Sequence, residues 1–171
     1  MPLWAYCRST RLTGAGRGVQ KLLSGIDREA KDRLAMLHEL SAHILSSLEY
    51  RGGATGVDSS AEHAIAAGAG VCQDHAHIFI AACRAMGIPA RYVSGYLMIN
   101  DRIAQDASHA WAEAHIDAIG WVGFDISNGI SPDGRYVRVA TGFDYRDAAP
   151  VSGMSFGARD KSMVVSLRVE Q

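Results

Sequence analysis

The chain changes its hydrophobic period once, around Gly87-Ile88-Pro89, and that switch limits the folds open to it. Ahead of it, Cys72, Ala76, Phe79, Ile80 and Cys83 recur at helical spacing, which predicts a core-anchored helix over about 72–86. Gly87 and then Pro89 supply the usual C-terminal punctuation. Beyond it, residues 90–98 are rich in aromatic and β-branched side chains and read as a strand. Residues 99–108 read as a polar loop. Residues 109–116 alternate strictly, with Ala110, Ala112, Ala114 and Ile116 on one face and His109, Trp111, Glu113 and His115 on the other. Residues 117–119 then turn the chain into an antiparallel return over 120–125. Weaker strands follow at 136–140 and 163–169, separated by a loop over 142–161. Helices first and strands afterwards, with no helix between the strands, predict an α+β fold with an antiparallel sheet rather than a doubly wound parallel one.

Upstream, Leu34, Leu37, Ser41, Ile44, Leu45 and Leu48 hold helical spacing from a candidate N-cap at Asp27 to about Tyr50. Ser59 and Glu62 have the spacing of a capping box opening a short helix that stops near Gly68. Residues 1–26 show no sustained period and are set apart as an N-terminal segment from a domain over 27–171. With 171 residues, 48% of them hydrophobic, the chain suits one core. Its 17 basic and 18 acidic residues leave a net charge of -1, so neither nucleic acid nor a membrane surface is an expected partner. The N-terminus lacks the apolar run of a signal peptide, and no stretch reaches the roughly 20 apolar residues of a membrane span. Three cysteines without a close pair read as neither a disulfide framework nor a zinc knuckle, and a reducing, cytoplasmic setting is expected.

Cys72 falls where its helix begins. Unpaired backbone N–H groups and the positive end of the helix dipole are expected there to draw a thiol pKa below about 8.5. His109 and Asp125 follow in the order of a base and its orienting acid. If 117–119 form a three-residue turn, Ile116 faces Gly120. Asp125 then lies diagonally across from His109 on the same face, about 7–8 Å away between Cβ atoms. A one-residue slip would send Asp125 to the other face. The set predicts thiol chemistry on an acyl group, with the Cys72 backbone N–H, and less strongly the Gln73 side chain, as donors to the oxyanion. Other readings stand beside it: a buried structural Cys72, an Asp125 that only caps the hairpin, or zinc held by Cys72, His75 and His109. His75 and His77 diverge by about 200° on a helix and cannot chelate one ion together.

Gly70-Val71-Cys72-Gln73-Asp74, the run from Arg84 to Tyr96, Ser108-His109-Ala110-Trp111-Ala112-Glu113, Gly120-Trp121-Val122-Gly123-Phe124-Asp125 and residues 142–147 with Pro150 resemble, in order, the signatures of bacterial transglutaminase-like proteins. The resemblance covers about residues 30–153. It implies a papain-like α+β fold, a transglutaminase-like catalytic domain over 27–171, and a catalytic triad of Cys72, His109 and Asp125. Bacterial members of this kind commonly carry a preceding β-rich domain, of which residues 1–26 would be a remnant. No acidic loop has recognisable calcium-ligand spacing, and neither a metal nor a cofactor is expected. The same triad serves peptide hydrolysis, deamidation and cross-linking. The expected partners are a protein or peptide substrate and, in the transferase case, a primary amine. No dedicated amine site is visible, which favours a cysteine peptidase or amidase. Protein-glutamine transfer stands second and arylamine acyl transfer third, and a non-catalytic interaction module is the rival class.

Overall fold

The computed structural model describes residues 1–98, 104–105, 108–150 and 167–168. A short 3-10 helix, Leu3–Cys7, precedes helices α1 (Arg17–Leu23) and α2 (Arg33–Ser47), strand β1 (Glu49–Tyr50), helix α3 (Ala61–Ala67), strand β2 (Ala69–Gly70) and helix α4 (Cys72–Ala85). Strands β3 (Ala90–Leu97), β4 (Ala104–Gln105), β5 (His109–Ile116), β6 (Gly120–Phe124), β7 (Tyr136–Gly142) and β8 (Leu167–Arg168) follow. The main sheet has the order β6-β5-β3-β7 with every pairing antiparallel, the α+β arrangement expected from the order of periods.

α4 is the axis of the core. Ala76 and the run Ile78–Cys83 are buried all round the helix, and β5 presents Ala110, Ala112 and Ala114 to it, side chains small enough for helix and sheet to approach closely. Each buried Ile or Phe here contributes about 1.5–3 kcal/mol from lost apolar exposure. The helix stops because Gly87 takes φ +75°, a conformation that favours glycine. Gly87 N then donates to Arg84 O at 3.0 Å and Ile88 N to Cys83 O at 2.9 Å, closing the last turn. Arg84, buried at this end, ties four segments together through Tyr6 O, Thr13 Oγ1, Ala90 O and Phe143 O.

Local detail departs from expectation where a distant partner intervenes. α2 begins at Asp32, not Asp27: Asp32 Oδ1 accepts from Ala35 N at 3.0 Å, whereas Asp27 Oδ1 closes a turn on Glu29 N. It ends at Ser47, because residues 49 and 50 leave to pair in parallel with 69 and 70. α3 is capped by Ser60, whose Oγ accepts from His63 N. Glu62 makes no capping box there. It reaches instead to α1, where its carboxylate accepts from Gly16, Gly18 and Val19 N, each at 2.9 Å. The N-cap of α1 is a glycine with no side chain to satisfy those donors, so an acid from α3 does so.

Residues 1–26 share this core: Val19, Leu22, Leu23 and Ile26 pack with residues of α2 and α4. Within the expected loop over 99–108, residues 104 and 105 pair with 168 and 167. The rest of that loop apart from residue 108, the second half of the loop over 142–161, and the remainder of the strand expected over 163–169 lie outside the described residues.

Candidate active site

Three elements converge at the N-terminal end of α4. Cys72 is the first residue of that helix and only partly buried. Its backbone is held from both sides: Asp74 Oδ2 accepts from Val71 N at 2.9 Å and from Thr55 Oγ1 at 2.6 Å. Gly70 is required for this clasp, since a Cβ there would lie 2.7 Å from the Asp74 Cβ.

His109 opens β5 and Asp125 directly follows β6. The hairpin has the expected register, Ile116 opposite Gly120 and Ala112 opposite Phe124, so Asp125 emerges on the side of His109. The contact is made: His109 Nε2 lies 2.6 Å from Asp125 Oδ2. The Cys72 thiol also acts on this imidazole. With Nε2 engaged by the carboxylate, Nδ1 is the ring nitrogen left for it. The structure thus brings together all three residues singled out in the sequence.

The carboxylate is fully buried and well supplied with donors. Besides His109, Asp125 Oδ2 accepts from Tyr136 Oη and Asn128 Nδ2, both at 2.6 Å, and Oδ1 accepts from Asn128 N at 3.3 Å. Burial alone would raise its pKa, but the hydrogen bond from His109, its charge, and the bonds from Tyr136 and Asn128 outweigh burial and hold it below the usual carboxylate value. Burial would lower the His109 pKa, yet the bonds to Asp125 and Cys72 win and raise it to about 9. Trp111 stacks beside the imidazole at 6.3 Å and meets the Tyr136 ring edge-on at 5.4 Å, so ring packing fixes the plane of His109. Gly95, opposite His109 on β3, leaves the space: a Cβ there would strike the Val137 carbonyl and the Trp111 ring.

Tyr136 and Asn128 escaped the sequence reading. Asn128 lies only three residues beyond Asp125, a visible spacing, but Tyr136 arrives through the β3–β7 pairing and has no local signal. Tyr50 was missed as well. Its ring lies 6.0 Å from that of His75, and burial first and then the charge of Cys72 raise its pKa above the ordinary value. Gln73, the weaker oxyanion candidate, is turned away, with Nε2 donating to Val57 O at 3.2 Å. His75 and His77 are both buried and serve different neighbours: His75 Nδ1 meets Ser127 Oγ at 3.0 Å, and His77 Nε2 accepts from Tyr145 N at 3.1 Å. A cavity of about 730 Å³ lies at the opposite end of α4, between residues 31–34 and 115–119, and contains none of the three site residues.

A profile of the transglutaminase-like superfamily matches residues 20–126, a span that includes Cys72, His109 and Asp125. The chain belongs to the transglutaminase-like superfamily. Among its relatives, the uncharacterized protein ML0607 of Mycobacterium leprae is 40% identical over 129 residues, 71% of this chain and 46% of its own length. The uncharacterized protein Rv2569c of Mycobacterium tuberculosis is 36% identical over 139 residues, 75% of this chain and 44% of its own. The chain spans less than half the length of these relatives. A candidate cysteine protease from Cytophaga hutchinsonii superposes with a TM-score of 0.78 at 28% identity, over 98% of this chain and 56% of that one. The periplasmic domain of TgpA from Pseudomonas aeruginosa bound to ethylmercury superposes with a TM-score of 0.54 at 22% identity, over 75% of this chain and 49% of that one; this likeness is one of fold alone. Superfamily membership and the Cytophaga structure together support a thiol-dependent enzyme family.

Proposed function

We propose that this transglutaminase-like protein is a thiol-dependent acyl-transfer enzyme acting on amide bonds of proteins or peptides, with water as acceptor, which makes it a cysteine peptidase or amidase. The observation that carries the proposal is the convergence of Cys72 and His109 at the start of α4, with His109 bonded to an Asp125 carboxylate that has further donors of its own.

In the proposed cycle the Cys72 sulfur, its proton held by His109, adds to the carbonyl carbon. A C–S bond forms and the carbonyl electron pair moves onto oxygen. Collapse restores the carbonyl and breaks the C–N bond, while the imidazolium delivers its proton to the departing amine. A His109 pKa of about 9 keeps that acid charged at neutral pH. Water, deprotonated by the now neutral imidazole, attacks the thioester and regenerates the thiol. Asp125 fixes the tautomer and stabilises the imidazolium throughout. These steps draw on no cofactor. The three free cysteines suit a reducing, cytoplasmic setting.

Transfer to a primary amine, as in protein cross-linking, is the second reading, and superfamily membership is what favours it. One experiment separates the outcomes. A glutamine-bearing protein and a labelled primary amine are incubated with the wild type and with Cys72→Ala, and the products are analysed by mass spectrometry. The expected result is cleavage or deamidation that depends on Cys72. Label incorporation would replace hydrolysis by transamidation. Identical products from both proteins would leave only a non-catalytic module.

A further inference from the structure

His75 is a buried imidazole that the proposed cycle does not use. It follows Cys72 by three residues on α4, which puts it about 4.5 Å further along the axis and on the same face of the helix. It has no exposed surface. Its Nδ1 lies 3.0 Å from Ser127 Oγ, two residues past Asp125, and its Nε2 has no hydrogen-bond partner among the described residues. Burial lowers its pKa against the charges of Asp74 and Asp125, so at neutral pH the ring carries one proton. On Nε2 that proton would be a buried donor with no acceptor; on Nδ1 it is donated to Ser127 Oγ.

We infer that His75 is a positioning residue, which through Ser127 latches the loop carrying the catalytic acid to the helix carrying the nucleophile. This rests on the proposed roles of Cys72, His109 and Asp125. Asp125 stands at the mouth of a short turn: Asp125 N donates to Ile130 O at 2.8 Å, Ile130 N to Asp125 O at 3.2 Å, and Gly129 N to Ile126 O at 3.3 Å. Asn128, which supplies two of the donors to the Asp125 carboxylate, belongs to the same turn. Those bonds fix the shape of the turn and leave its distance from α4 open.

The neighbouring contacts between the layers are apolar. β5 meets α4 through Ala110, Ala112 and Ala114, and Leu45 of α2 lies close to Gly129. Such packing holds surfaces together without direction. The bond from His75 to Ser127 is directional, and among the described residues it is the one hydrogen bond between α4 and residues 125–130. It sets how closely the imidazole, already fixed to Asp125, approaches a thiol one turn up the helix. Without it the His109–Asp125 bond persists, while Cys72 drifts from its base and behaves as a more ordinary thiol.

Iodoacetamide reads this directly, because it reacts with the thiolate and not the thiol. Its reaction at Cys72 is followed by peptide mass mapping of the full chain at about pH 6.5 and at about pH 10, where accessible thiols are ionised, with partly buried Cys7 as the reference. Ser127→Ala removes the acceptor; His75→Phe keeps a ring and removes Nδ1; His75→Asn offers an amide N–H where Nδ1–H lies. Thermal melts check that each variant is folded. At the lower pH the expected rate is about tenfold below wild type in Ser127→Ala and in His75→Phe, no lower in the double variant, and within about twofold of wild type in His75→Asn. At the higher pH all the rates should agree. Equal falls at both pH values would mean a change of access to the sulfur and overturn the inference. An unchanged rate in Ser127→Ala, or losses that multiply in the double variant, would overturn it as well. If wild-type Cys72 reacts no faster than Cys7 at the lower pH, its role as nucleophile fails, and the latch falls with it.

Discussion

His77 and His109 are the same side chain in two interiors, and they titrate in opposite directions. His77, in the middle of α4, is fully buried, accepts from Tyr145 N and packs on Tyr92 at 5.1 Å. Burial lowers its pKa to about 4; the Asp144 charge opposes this without a direct bond, and Arg84 reinforces it. His109 feels burial too, but a carboxylate oxygen at 2.6 Å and the Cys72 thiol reverse the sign and carry it to about 9. Burial alone therefore does not set the charge of an imidazole in this fold. A directly bonded acid does.

Removing that acid is the sharpest way to break the comparison. With Asp125→Ala, His109 has only burial and the thiol to act on it, and its pKa should fall from about 9 to below 6.5, alongside His77, as read by NMR titration of the ring protons. Turnover should fall by about 10²- to 10⁴-fold with the fold intact. A His109 that still titrates near 9 would show that another group supplies its charge. In the wild type the alkaline side carries the same information: kcat/KM should decline as pH rises through about 9, where the imidazolium is lost. The stability that His109 contributes follows the same sign: with Asp125 ionised it is complete below about 6.5, the value in an unfolded chain, and lost as pH rises through about 9, whereas the contribution of Asp125 is lost as pH falls through its lowered pKa.

His77 predicts the opposite window. Its folded value lies below that of the unfolded chain, so its contribution is complete above about 6.5 and disappears as pH falls towards about 4. That gap corresponds to roughly 3 kcal/mol. Urea unfolding across this range should show a shallower acid dependence in His77→Gln than in the wild type; parallel curves would mean that His77 is not the acid-sensitive group. The smallest effect is expected from Tyr136→Phe, which takes one of the donors from Asp125 Oδ2. Turnover should drop about tenfold, equivalent to about 1.4 kcal/mol, with the Asp125 carboxyl pKa rising.

What was legible in the sequence follows the reach of the forces involved. The alternation from His109 to Ile116 and the three residues after it contain the hairpin register, because period and turn length are local properties. The start of α4 at Cys72 and its stop at Gly87 are equally local. The errors lie where a side chain has two possible partners. Asp27 and Asp32 both suit an N-cap, and which one serves depends on how residues 27–32 turn. Glu62 has the spacing of a capping box, but the bare N-terminus of α1 offers it three donors from over forty residues away. Tyr50, Tyr136 and the Thr55–Asp74 bond reach the site through strand pairing and loop closure, which no window of sequence displays.

Arg84 has a consequence for how the molecule opens. Its guanidinium reaches the segment at Tyr6, the turn at Thr13, the start of β3 and the loop at Phe143. Detaching the turn at Thr13 takes the only partner of Nη1 among the described residues and strands a buried donor at about 1–3 kcal/mol, whereas Nε keeps Ala90 O at 3.3 Å when Tyr6 leaves. Release of the turn at Thr13 is therefore coupled to the end of α4. The amides of this N-terminal stretch should exchange with solvent in step with those of α4, not at the rate of a fraying end.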